Sequence, residues 1–493
     1  MEHVDVLIVG AGLSGIGAAC HLQEECPSKS YLVLESRGAI GGTWDLFRYP
    51  GIRSDSDMFT LGYAFRPWKD SKSIADGEAI RTYIQDTARE YDVEDKIRFH
   101  HQVLSAEWSS ADARWTVTAR RTDTGETVDL TCSWLSVCSG YYRYDEGFRP
   151  VFEGEQAFGG QVIHPQHWPE DFDATGKRIV VIGSGATAVT LVPNLAEVAE
   201  HVTMLQRTPS YIMSLPGRDP LAEWLRTKLP SKVAYPIVRW KNVLVTTAFY
   251  QFSRRFPTAA RKVLRRMTEK QLPEGFDLDT HFNPPYNPWD QRLCLVPDGD
   301  LFRTLRRGQA SIATGRIARF TGKGIELESG EHLDADVIIT ATGLNLMPMG
   351  GMSLSVDGEP VDASKTVSYK GMMLSGVPNF TLVIGYTNAS WTLKADLVNR
   401  YVCRLINHLD AEGYVSATPV APPEGGDLPF LDLASGYVQR SLGDLPRQGS
   451  RKPWRLNQNY ILDVQLMRRG PLDDEGMTFQ RALPAPSTQK AVA

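Results

Sequence analysis

Two glycine-spaced turns carry the most chemistry in this 493-residue chain. Gly10, Gly12 and Gly15 follow the run V-D-V-L-I-V at 4–9, and Gly183, Gly185 and Ala188 follow K-R-I-V-V-I at 177–182. Each run is short and rich in β-branched residues, and reads as a strand buried in a parallel sheet. The first glycine of such a turn permits the tight bend, and the second lets a pyrophosphate approach the backbone. The third lets helix and strand pack closely, and alanine is tolerated there. Phosphates then meet free N–H groups where the helix dipole favours negative charge, which places Ser14, Ser184, Ala186 and Thr187 beside them. The end of the next strand selects the ribose. Y-L-V-L at 31–34 leads into Glu35, about 20 residues past the glycines, where a carboxylate accepts from ribose hydroxyls. H-V-T-M-L at 201–205 leads instead into Gln206, Arg207 and Thr208, with no acid. A guanidinium there suits a 2′-phosphate, so NADPH is expected over NADH. The alternative for Arg207 is an ordinary solvated strand end; its place directly after this turn favours the phosphate. Two dinucleotide sites in one chain imply a flavin that stays and a nicotinamide that reduces it.

Further residues join these turns. The loop G-G-T-W at 41–44 and R-Y-P-G-I-R-S-D at 48–55 has the glycines, proline and aromatics of a loop wrapped around a ligand. Asp55, taken alone, reads as a turn cap. F-G-G-Q-V-I-H-P-Q-H-W-P at 158–169 precedes the second turn, and A-T-G at 341–343 returns the chain to the first unit. Arg292 stands between P-P-Y-N-P-W at 284–289 and L-C-L-V at 293–296, a rigid aromatic loop entering a buried strand. Together these motifs resemble the type I Baeyer–Villiger monooxygenases, within the class B flavoprotein monooxygenases, from the first glycine turn past Arg455. The resemblance implies FAD at the first turn, lined also by Thr43, Trp44, Asp45, Leu46, Arg53, Ser54, Asp55 and Val103, and NADPH at the second.

The same resemblance makes Arg292 the catalytic cation and Asp55 the carboxylate that orients it. It implies O2-dependent conversion of ketones to esters or lactones through a C4a-peroxyflavin, with thioether or thioamide sulfoxidation as a side activity. A guanidinium suits that task because it keeps its proton near neutral pH. The nearest rival is an N- or S-oxygenase acting through hydroperoxyflavin; Trp168–Pro169 and Arg292 favour the first reading. A redox sensor or partner-binding module would need the cofactor sites but not Arg292 with Asp55. His164 and His167 lack a third ligand, so zinc is not expected, and the resemblance makes His164 a linker residue coupling domain positions. Gln291 departs from the family, many of whose members carry Lys before the arginine, which leaves more of the phosphate grip to Arg207 and Thr208.

These residues require an α/β architecture of two Rossmann-like dinucleotide-binding domains with a helical insert. The expected division is 1–140 for the first part of the FAD domain and 141–215 for linker and first part of the NADP domain. A helical insert follows at 216–283, then the rest of the NADP domain at 284–340 and of the FAD domain with the tail at 341–493. Helical patterning covers 221–229, 235–256 and 257–272. Solvated faces over a core stripe are the plain reading of these basic helices, and a membrane-surface patch is the second. The net charge of -5 gives no reason to expect nucleic acid. The six cysteines include no C-x-x-C pair and fit reduced, buried thiols of a cytoplasmic enzyme. No run of about 20 apolar residues suggests a spanning helix. A monomer or small homo-oligomer is expected. P-W-R-L-N at 453–457 resembles a family segment that folds over the cofactor, with Trp454 as a cofactor or substrate neighbour or a buried core residue. The end from Ala482 reads as a frayed tail.

Overall fold

A computed structural model describes residues 1–482; the expected tail beyond lies outside the described residues. Its larger sheet is assembled from both ends of the chain. The strand Glu2–Val9 runs parallel to Tyr31–Leu34 on one side and Thr127–Val137 on the other. An antiparallel meander, His101–Ser109, Arg114–Arg121 and Thr127–Val137, widens the sheet, and Ser353–Val356 and Phe380–Leu382 return to it from the distal part of the chain. Leu7, Ile8 and Val33 are fully buried, the result expected of β-branched and aliphatic runs covered on both faces. The first glycine turn opens the helix Leu13–Glu25, which packs along the long helix Trp391–Glu412.

The smaller sheet is wholly parallel, in the order Ala310–Thr314, His201–Gln206, Arg178–Ile182, Val337–Thr340, Gln161–Ile163. Its last strand comes from the 158–169 segment, so the linker is itself an edge of the second unit. The second glycine turn opens the helix Ala186–Leu195. A short parallel pair, Ile212–Leu215 with Cys294–Pro297, carries Arg292 in just ahead of its second strand.

The insert forms the helices Pro220–Lys228, Ser231–Arg255 and Pro257–Glu269. The middle one starts at Ser231, four residues before the expected 235, although Pro236 then falls inside it. Proline costs a helix one backbone bond; burial of Ala234, Tyr235 and Val238 against the first unit offsets that cost. Arg239 of this helix is buried and donates to the carbonyls of Phe59 and Gly62, each at 2.8 Å. Asn242 donates to Asp57, the carboxylate that also caps the helix Met58–Leu61. Of the two readings open, burial is the one found for Trp454. It is 1% exposed, donates to the Val420 carbonyl at 2.7 Å and does not line the central cavity, so it is a core residue.

Candidate active site

A cavity of about 1500 Å³ opens between the two sheets, walled by both glycine turns. In the first turn Gly10 has φ +104°, and a Cβ there would lie 2.9 Å from the Cys138 carbonyl oxygen. A Cβ on Gly15 would lie 1.8 Å from the Gly10 carbonyl oxygen, so helix and strand meet only because that side chain is absent. Glu35 is 5% exposed and accepts from the backbone N–H groups of Ala11 at 2.7 Å and Arg37 at 2.9 Å. Burial raises its pKa, with those two bonds working in the opposite direction.

The cavity wall gathers most of the expected residues: Gly10, Gly12, Ser14, Glu35, Thr43, Trp44, Arg53, Ser54, Asp55 and Val103 from the first unit. From the second come Gly183, Ser184, Gly185, Ala186, Thr187, Arg207 and Thr208, together with Arg292. Gly15, Ala188, Asp45 and Leu46 do not line it. Gly15 and Ala188 sit at the helix–strand contact. The Asp45 carboxylate is taken up by Arg37 and Arg48, each at 2.6 Å, and by Arg81 at 3.4 Å. Three guanidiniums around one buried carboxylate fix the loop behind the wall. Arg53 is likewise engaged, donating to Asp300 at 2.5 Å across the two units. The Ser14 hydroxyl accepts from Trp391 Nε1 at 2.8 Å.

Arg292 and Asp55 meet within this cavity, Nη2 to Oδ2 at 2.6 Å, with side chains 33% and 30% exposed. Asp55, against the cost of burial, raises the already high guanidinium pKa, and Tyr142, Tyr437 and Tyr141 act in the same direction. Burial pushes Tyr437 up to about 12 and raises Tyr141 as well, so these phenols stay neutral. It also pushes the adjacent Cys294 thiol up to about 12. The result is one permanent cation, oriented by one carboxylate, in an aromatic wall. His164 lies outside this pair. Its ring packs on Gly147, where a Cβ would fall 2.0 Å from Cε1, and Nδ1 accepts from the Gln166 N–H at 3.2 Å. Burial lowers its pKa, which favours the neutral ring.

Sequence reasoning missed Arg316. The strands ending at Gln206 and Thr314 are paired in register, and the Gly315 N–H donates to the Gln206 carbonyl at 3.0 Å. Arg207 and Arg316 therefore follow neighbouring strand ends, both line the cavity, both are exposed, and neither forms an ion pair among the described residues. A basic residue two past a strand end was the available signal, but strand order had to be known to use it. The three tyrosines around Arg292 were missed for the same reason.

Comparison with known proteins is consistent across sequence and fold. The flavin-binding monooxygenase-like family matches residues 4–410. The FAD-containing monooxygenase EthA of Mycobacterium tuberculosis is 58% identical over 489 residues, covering 98% of this chain and 99% of that one. Among solved structures, an oxidised steroid monooxygenase bound to NADP superposes with a TM-score of 0.73 at 22% identity, covering 97% of this chain and all of that one. A polycyclic ketone monooxygenase from Thermothelomyces thermophila gives 0.76 at 17% identity, over 98% and 90% of the respective chains. These two likenesses concern the fold.

Proposed function

The chain belongs to the flavin-binding monooxygenase-like family, and from that premise we propose that it oxidises ketones to esters or lactones with FAD, NADPH and O2. Sulfoxidation of thioethers is the accompanying side activity. The observation that carries this reading is the Arg292–Asp55 pair in the cavity between the two turns.

The residues present fit both cofactors. The first turn offers a backbone cradle closed to any Cβ at Gly10 and a buried carboxylate, Glu35, at ribose distance along the chain. The second offers Gly185, where a Cβ would have no atom within 4 Å. Beside it stand Arg207 and Arg316, two guanidiniums without an ion pair among the described residues. Glu35 would therefore hold the FAD ribose, and Arg207, Thr208 and Arg316 the NADPH 2′-phosphate. When bound, the two cofactors supply hydride and activated oxygen.

The protein's own part is electrostatic. Arg292 keeps all its protons, because Asp55 stabilises the cation and a guanidinium holds its proton far above neutral pH. It presents N–H groups to the negative charge that develops on oxygen as a ketone reacts, and a preorganised charge in a dry site is the strongest such aid. Tyr141, Tyr142, Tyr437 and Trp391 line the same space, and with the cofactors bound they would help to keep water from it. A heteroatom oxygenase has no such demand for a fixed cation. The test is product analysis by mass spectrometry with a ketone and a thioether of matched size. Ester from the ketone is expected as the main product, while sulfoxide alone, with NADPH consumed, would show the second class instead.

A further inference from the structure

One face of the helical insert is apolar and uncovered among the described residues. Along the helix Ser231–Arg255, Val233, Ile237, Trp240, Leu244 and Phe252 recur at helical spacing on the outward side. Trp240 is 43% exposed and Leu244 52%, while Ala234, Tyr235, Val238 and Val243 on the inward side are buried. Trp224 of the preceding helix is 58% exposed, and Phe256 at the helix end 56%. Exposed apolar side chains are ordinary when scattered; a stripe of this length along one helix marks a docking surface.

Charge identifies the partner. Residues 220–270 contain twelve Lys and Arg against Glu223 and Glu269, with no Asp, in a chain whose net charge is -5. Lys241, Arg254 and Arg265 are consumed by Asp219, Asp290 and Asp279. Lys232 and Arg255, at the two ends of the stripe, form no ion pair among the described residues. The outward face is thus an apolar centre with cationic ends and no carboxylate. A second copy docking face to face would bring like charges together, which disfavours a twofold dimer here. A nucleic acid would satisfy the cations and leave the apolar stripe without a counterpart.

We propose that this face docks on a lipid surface containing anionic headgroups, with the helix Ser231–Arg255 lying in the interface. Trp240 and the aliphatic stripe then sit at the headgroup–acyl boundary, and Lys232 and Arg255 reach the anionic headgroups. No helix among the described residues is long and apolar enough to cross a membrane, so the contact is peripheral.

Co-sedimentation of the holoenzyme with sucrose-loaded vesicles tests this, using phosphatidylcholine alone and an equal mixture with phosphatidylglycerol. Binding is expected to the mixed vesicles and to weaken with added salt. The double variant Ile237→Glu with Leu244→Glu should lose on the order of 100-fold in lipid affinity. Lys232→Glu with Arg255→Glu should lose about tenfold and flatten the salt dependence. NADPH oxidation in detergent-free buffer reports that each variant is folded; should the apolar variant not fold, the charge variant and the wild-type salt series decide. Sedimentation no greater than without lipid overturns the proposal, as does lipid binding indifferent to both variants. A dimer seen by analytical ultracentrifugation that only the apolar variant dissolves, or retention on RNA in place of lipid, assigns the face to another partner.

Discussion

The two glycine turns share a pattern and differ in how tightly the protein closes around them. In the first, a Cβ on Gly15 would lie 1.8 Å from the Gly10 carbonyl, and the acid that ends the next strand is buried and bonded to two backbone N–H groups. In the second, the equivalent of Gly15 is already Ala188, Gly185 faces open space, and exposed Arg207 follows the strand end at Gln206. Both turns line the cavity, but the first opens the helix Leu13–Glu25, which packs along the long helix Trp391–Glu412, and its Gly12 lies against the Gly42 backbone, whereas nothing stands within 4 Å of a Cβ on Gly185. The difference teaches which ligand stays. A closely packed turn with a buried acid suits a resident cofactor, whereas a looser, charge-guided one suits a cofactor that must come and go.

Arg292 belongs to neither turn, and removing it should separate chemistry from both. Arg292→Ala is expected to lower ester formation on the order of 100- to 1000-fold while flavin content and NADPH oxidation persist; product yield per NADPH consumed measures the split. The turns themselves should respond unequally to one methyl group. Gly15→Ala should destabilise the protein by about 3 kcal/mol and shed flavin, whereas Gly185→Ala should stay within about 0.5 kcal/mol and raise the KM for NADPH. Equal melting shifts for the two would erase the contrast drawn above.

A pH series sharpens the comparison further, because the first unit alone is pinned by a buried histidine among the described residues. His21 bonds to Asp396 at 2.8 Å and pairs with Glu25 at 3.4 Å, and Arg468 reaches the other Asp396 oxygen. Burial opposes the His21 charge, but the carboxylates outweigh it and raise its pKa from 6.5 to about 9. A raised histidine pKa contributes fully below its unfolded value and is lost as pH climbs through the folded one. Urea midpoints should therefore fall between pH 6.5 and 9 by an amount worth on the order of 2 kcal/mol, and His21→Gln should flatten that slope. Asp396, held down to about 2 against burial, keeps its own contribution until pH falls through that value. A modest effect is expected at the second strand end. Arg207→Ala and Arg316→Ala should each weaken NADPH binding about tenfold and leave NADH binding unchanged, read by titrating cofactor against protein fluorescence.

Much of the fold was legible because its signals are local. The β-branched runs before Gly10 and Gly183 became the strands Glu2–Val9 and Arg178–Ile182. The insert helix shows where local reading fails: Pro236 argues for a later start, and buried neighbours from another part of the chain override it. For Trp454 the local reading left two roles open, and burial with its bond to the Val420 carbonyl decides between them.

By itself the sequence determined the two strand–turn–helix units and the opposite charges, Glu35 and Arg207, at their strand ends, because steric and dipole rules act over one or two turns of chain. Tertiary structure alone decided that Asp45 is spent on three arginines, that three tyrosines surround Arg292, and that Arg316 follows the strand end next to that of Arg207. Those outcomes depend on which strands become neighbours and on how much water is left between them, and a Coulomb interaction has no strength until both are known.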